Sequence, residues 1–135
     1  MEELEQRLSV SEVMHRGVIT CRPETTALAV VRTMAAHRIH SVVVTSRNRA
    51  PRLVTDADVV DALAGPPLDR QTALDIAHRA PIVTRSDSLT STLAHMREAA
   101  STHAVVVDRS RTPLGVVSIL DVVEALLSAR DRAAQ

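Results

Sequence analysis

The sequence contains no phenylalanine, tyrosine or tryptophan and no lysine; its sixteen basic residues are all arginine. Without aromatic rings there is no platform on which unpaired bases stack, which removes the usual route to single-stranded nucleic acid. Without lysine there is neither a Schiff-base amine nor a phosphate-loop lysine. Sixteen acidic residues balance the arginines, so no surplus of charge points to DNA or to an anionic membrane. Glycine occurs three times, too seldom for a glycine-rich phosphate cradle. The single cysteine, Cys21, excludes an intramolecular disulfide and a zinc site of several thiolates. No apolar run approaches the roughly 20 residues that span a bilayer, and the acidic opening Met1-Glu2-Glu3-Leu4-Glu5 has no apolar signal core behind it. The expectation is a cytoplasmic protein that binds neither nucleic acid nor membrane.

What is present is aliphatic. Hydrophobic residues make up 45% of 135, enough for one compact core or two small ones. Val105-Val106-Val107 has the β-branched run of a buried strand. Pro113 and Gly115 supply turn chemistry, and Leu114–Val117 continues as a second strand, which makes a hairpin. Ser118 then stands where a helix N-cap stands, with Asp121 three residues on and Ile119, Val122, Val123 and Leu126 at helical spacing.

The same unit occurs earlier. Val42-Val43-Val44, a turn with Arg47, Asn48, Arg49 and Pro51, and Leu53-Val54-Thr55 lead into Asp58, Val59, Val60 and Leu63. Thr55 matches Ser118 and Asp58 matches Asp121 at a separation of 63 (118 − 55 and 121 − 58). Val42 with Val105, His40 with His103, and His15 with His78 share that separation; Met34 and Met96 differ by 62. A duplication of this size fixes the architecture. The predicted layout is a lead-in over residues 1–9, a first repeat over 10–64, a linker over 65–71 marked by Gly65-Pro66-Pro67, a second repeat over 72–127 and a polar tail over 128–135. Each repeat is predicted as a turn, strand, helix, strand, strand and helix. Its first helix opens at Pro23-Glu24-Thr25-Thr26 in one copy, with Leu28, Val31 and Met34 on one face, and at Ser88 in the other, with Leu89, Leu93 and Met96 inside. The fold class is α/β (α+β): two βαββα repeats with pseudo-two-fold symmetry, each a small mixed sheet flanked by helices.

The hydroxyl-x-x-acid element is the candidate for chemistry. Taken alone it is a capping box, which stabilises a helix by ~1 kcal/mol; aspartate is shorter than the usual Glu or Gln partner. No nucleophile is tied to a base by spacing, and no paired carboxylates suggest acid–base work, so the chain is not expected to be an enzyme. The six histidines form no ligand cluster, and no metal site is expected. His40 with His103, and His15 with His78, read as polar strand-entry residues. Cys21 reads as an inert, buried thiol.

In the order Val10-Ser11-Glu12-Val13-Met14, Pro23-Glu24-Thr25-Thr26, Ile39-His40-Ser41-Val42-Val43-Val44, then Thr55-Asp56-Ala57-Asp58 and Ser118-Ile119-Leu120-Asp121, the chain resembles tandem CBS domains, a Bateman pair, from about Val10 to Leu127. The resemblance implies a regulatory module that senses an adenine nucleotide or adenosyl compound (AMP, ADP, ATP or S-adenosylmethionine) in a cleft between repeats, with no required cofactor. It implies that Asp58 and Asp121 grip ribose hydroxyls while Thr55, Ser118 and the helix N-terminus hold phosphate, as free N–H groups there favour an anion. Ile19, Val42, Val83 and Val105 would enclose the adenine, with Thr20, Thr84, His40 and His103 beside them. Two departures stand out: Ala57 and Leu120 occupy places where nucleotide-binding relatives often carry a basic residue, and Arg52 stands where the second repeat has Gly115. The resemblance also implies a homodimer through the repeat helices and an unidentified protein effector. The competing class is a structural dimerisation module without a ligand; a metal- or stress-responsive protein is a third.

Overall fold

The computed structural model describes residue 3 and residues 7–135. The lead-in expected over residues 1–9 lies for the most part outside the described residues. The elements are α1 (Val10–Val13), β1 (His15–Arg16), β2 (Thr20–Cys21), α2 (Ala27–His37), β3 (Ser41–Ser46), β4 (Arg49–Thr55), α3 (Asp56–Leu63), a 3-10 turn (Leu68–Arg70), α4 (Ala73–Ile76), β5 (Ile82–Val83), α5 (Leu89–Glu98), β6 (His103–Val107), β7 (Pro113–Ser118) and α6 (Ile119–Ala133). β1 was not foreseen. The strand expected at Val18–Cys21 is confined to its last two residues.

The chain forms two compact units whose segments interleave: the stretch up to Gly17 with Ala80–Gln135, and Val18–Arg79. In the first unit the sheet runs β1-β7-β6-β5, with β5 parallel to β6 and the other pairs antiparallel. α1 is fastened there by backbone bonds from Val10 N to Asp87 O and from Ser11 N to Arg85 O. In the second unit the sheet runs β2-β3-β4, and α4 is fastened by bonds from Ala73 N to Thr25 O and from Leu74 N to Pro23 O. The short helix that opens each sequence repeat therefore completes the unit built around the other repeat's hairpin.

Each unit has its own aliphatic core. One gathers Val10, Val13, Val83, Leu89, Met96, Ala104, Val106, Val117, Val122 and Leu126. The other gathers Ala27, Val30, Met34, Val42, Val44, Val54, Ala62, Ala73 and Ile76. The inward face of α2 is thus Ala27-Val30-Met34; Leu28 and Val31 are only half-buried. On α5 the buried trio is Leu89, Thr92 and Met96, and Thr92 Oγ1 donates to Ser88 O at 2.9 Å, which satisfies a hydroxyl inside the core.

The ladders correct the alignment of the repeats. Ser41 pairs with Thr55 and Val42 with Val54, whereas His103 pairs with Ser118 and Ala104 with Val117. Ser41 is therefore the counterpart of His103, a separation of 62 (103 − 41), while Thr55 and Ser118 keep 63 (118 − 55). The extra residue sits in the second hairpin, where Asp108 N bonds Thr112 O across three residues; in the first, Ser46 and Arg49 enclose two. The Met34–Met96 separation of 62 belongs to this register. His40 is not the counterpart of His103, nor Val42 of Val105. A one-residue slip turns a strand side chain to the other face: Val42 joins a helix-covered core, and Val105, equally buried, lies outside the corresponding cluster.

Candidate functional site

Each unit sets one carboxylate at the first turn of the helix that follows its hairpin. In the second unit the N–H of Thr55 donates to Asp58 Oδ2 at 2.8 Å and Thr55 Oγ1 donates to the same oxygen at 3.0 Å. In the first, Ser118 N and Oγ donate to Asp121 Oδ2 at 3.0 and 2.8 Å, and Asp121 N returns a bond to Ser118 Oγ at 3.2 Å. The capping box read from sequence is formed, and the positive end of each helix dipole favours the anion held there.

A second partner reaches each carboxylate. His78 Nδ1 lies 2.7 Å from Asp58 Oδ2, and His15 Nε2 lies 2.8 Å from Asp121 Oδ1. His78 is held in place by reciprocal backbone bonds with Leu53, N to O at 2.9 and 3.0 Å. His15 is held by β1, which lies across from Val116 and Gly115. The approach is so close that a Cβ on Gly115 would stand 2.2 Å from the His15 carbonyl oxygen. These two His–Asp pairs were missed in the sequence. Their signal was the shared separation: 78 − 15 and 121 − 58 are both 63, so each histidine recurs in step with the aspartate of the other repeat.

The two carboxylates are about equally sheltered, with side-chain exposures of 14% for Asp58 and 13% for Asp121, but their histidines differ: His78 is 30% exposed and His15 78%. Burial pushes the Asp58 carboxyl up, yet the bonds from His78 and from the Thr55 N–H, with the His78 charge, outweigh it and hold it below its ordinary value. Burial raises the Cys21 thiol, its bond with Thr25 opposes this and Glu24 adds to the rise; a thiol so placed is a poor nucleophile at neutral pH.

The remaining candidates are scattered in role. Val42 and Val83 are inside the two cores, and Val105 is fully buried in β6. Ile19 is partly exposed beside β2, its carbonyl accepting from Val43 N at 2.9 Å. Thr20 is exposed on β2. Thr84 donates through N and Oγ1 to Asp87 at 2.9 Å each, closing the turn before α5. His40 Nδ1 lies 2.8 Å from Asp56 Oδ2 on the surface. His103 sits opposite Ser118, with Nδ1 3.0 Å from Thr102 Oγ1. The ladders make Ile82 the counterpart of Thr20, since Ile82 faces Val105 as Thr20 faces Val43; Ile82 is exposed like Ile19. Among the described residues no group of three or more His, Cys, Asp or Glu is arranged to hold a metal ion, and no helix is long and apolar enough to cross a membrane.

Comparison with known proteins agrees with this arrangement. The CBS domain matches twice, at residues 10–65 and 73–128. A CBS domain protein from Pyrobaculum aerophilum, solved in complex with AMP, is 28% identical, with a TM-score of 0.74 over 84% of this chain and 89% of that one. A hexameric CBS-CP12 protein from bloom-forming cyanobacteria superposes with a TM-score of 0.77 at 21% identity, over 86% of this chain and 66% of the other. An uncharacterized 17.7 kDa protein of Acidianus ambivalens is 27% identical over 119 residues, which is 87% of this chain and 73% of that protein. With two matched copies, a small mixed sheet in each unit and a capped carboxylate closing each hairpin, the chain belongs to the CBS-domain family as a tandem pair.

Proposed function

We propose that this protein is a regulatory module that senses an adenine nucleotide or adenosyl compound (AMP, ADP, ATP or S-adenosylmethionine) through Asp58 and Asp121, without being an enzyme. The observation that carries the reading is the Asp58 carboxylate. It is sheltered, ionised and locked at a helix N-terminus by Thr55 and His78, so it is a preorganised acceptor for ligand hydroxyls. The first turns of α3 and α6, which Thr55 and Ser118 cap, present further backbone N–H groups at the same helix end for a phosphate. The AMP complex of the Pyrobaculum aerophilum relative supports the choice of ligand class. With no aromatic ring in the chain, the base gains aliphatic burial but no stacking, which limits affinity.

Thermal unfolding with AMP, ADP, ATP and S-adenosylmethionine tests this. A ligand at about 100 times its dissociation constant stabilises by about 2.7 kcal/mol, and Asp58→Asn removes the part of the shift that belongs to its own site, as Asp121→Asn does for the other. No shift with any of the four would leave the competing reading.

That reading, a homodimerisation module, rests on a separate observation and is compatible with the first. Val60 and Leu63 on α3 are 67% and 65% exposed, and Leu120 and Leu127 on α6 are 64% and 48% exposed. Apolar helix faces of this extent mark association surfaces, and a second copy of the chain is the partner proposed. An effector protein would read the liganded state from the assembled dimer.

A further inference from the structure

The two carboxylates are chemically inequivalent, although the sequence repeats them. On Asp58 all three donors, Thr55 N, Thr55 Oγ1 and His78 Nδ1, converge on Oδ2. Oδ1 accepts no hydrogen bond among the described residues and is not completely buried. On Asp121 the donors are divided. Ser118 holds Oδ2, and His15 Nε2 takes Oδ1. A ligand hydroxyl reaching Asp58 Oδ1 therefore meets no protein donor on that oxygen, whereas one reaching Asp121 Oδ1 competes there with the imidazole N–H. His15 is brought to the carboxylate by the pairing of β1 with β7 and the close passage over Gly115, and it is not part of the cap.

We propose that His15 determines specificity at the second carboxylate: it competes for the oxygen that a second ribose hydroxyl would use, so that the Asp58 site selects ribonucleotides over 2′-deoxyribonucleotides and the Asp121 site discriminates weakly. This rests on the nucleotide reading given above. His78 has the opposite effect, because by gathering the donors on Oδ2 it leaves Oδ1 clear.

The experiment uses single-site variants of the full chain and calorimetric titration with AMP and 2′-deoxy-AMP as probes. In Asp121→Asn, where Asp58 is the working carboxylate, AMP binds about tenfold more tightly than 2′-deoxy-AMP, the weight of one hydrogen bond to a charged acceptor. In Asp58→Asn, where Asp121 works, the preference falls to about twofold or less. Adding His15→Ala to Asp58→Asn raises the preference towards that of the Asp58 site. Adding His15→Gln, which still donates to Oδ1, leaves it low. A loss of fold in any variant shows in its urea midpoint; a merely structural effect of His15 weakens both probes alike and leaves their ratio unmoved. Equal preference in the two single-site variants, or an unmoved ratio in His15→Ala, overturns the inference while the nucleotide reading survives. Absence of AMP binding to the wild-type chain and to every variant sinks that reading and this inference together.

Discussion

At the scale of the residue, the working parts are few: two aspartates, the hydroxyls three residues before them, and two histidines from the opening segments of the repeats. Asp58 has a consequence for stability that can be given a sign. Its carboxyl sits below its ordinary value in the fold, so as the pH falls the unfolded chain takes up the proton first. Its contribution is complete at neutral pH and is lost as the pH drops below about 4 through the folded-state value. Urea denaturation from pH 7 to pH 3 shows a smaller loss of midpoint in Asp58→Asn than in the wild type. Gly115 is the second residue-scale test. A methyl group there meets the His15 carbonyl at 2.2 Å and Met14 Cε at 2.6 Å. The carbonyl is backbone and cannot yield cheaply, so Gly115→Ala costs about 1–3 kcal/mol in chemical denaturation, the range for overpacking, and detaches β1 from β7. The corresponding place in the other unit is Arg52. There His78 meets Leu53 as an isolated bridge, so the chain tolerates a side chain at that point.

At the scale of the element, the helices end alike. Arg38 and Ala100 follow α2 and α5 with φ of 52° and 50°. Ile39 N and Ser101 N close back on Met34 O and Met96 O at 3.1 and 2.9 Å, the six-to-one bond of a Schellman cap. Both residues occupy the left-handed region that glycine enters without a Cβ penalty. Arg38→Gly and Ala100→Gly are each expected to stabilise by about 0.5 kcal/mol, the relief of about 1–2 kcal/mol less the extra unfolded-state entropy of glycine, measured as a rise in urea midpoint at unchanged slope. Apart from β1, the main elements were legible in advance: the valine runs, the helix openings at Pro23-Glu24-Thr25-Thr26 and at Ser88, and the helical spacing after Thr55 and Ser118 all lie where the structure has strands and helices. The register was not. Identical valines at every position of a run give no landmark, so counting from the repeated Asp spacing carried 63 back through a hairpin that holds one residue more in the second unit than in the first.

At the scale of the whole molecule, the question is assembly. The outward faces of α3 and α6 keep Val60, Leu63, Leu120 and Leu127 in solvent in the single chain. If a second copy covers them, Leu63→Glu with Leu120→Glu lowers the mass seen by light scattering from dimer to monomer at micromolar concentration while the urea midpoint of the monomer stays within about 0.5 kcal/mol, as for surface substitutions. A wild-type chain that is monomeric at that concentration would remove the dimer from the proposal.

The sequence by itself determined the aliphatic cores and the capped carboxylate at the end of each hairpin, because these depend on local spacing and side-chain type, and it determined the duplication, because the same local pattern recurs 63 residues on (118 − 55). Only the tertiary structure decided which segments share a core. It sent α1 and β1 to the unit of the second hairpin and α4 to that of the first, and so brought His15 to Asp121 and His78 to Asp58. The physical reason is that a four-residue helix cannot bury its apolar side on its own. Where Val10 and Ala73 find cover depends on which sheet lies within reach of the chain, and no local pattern records that.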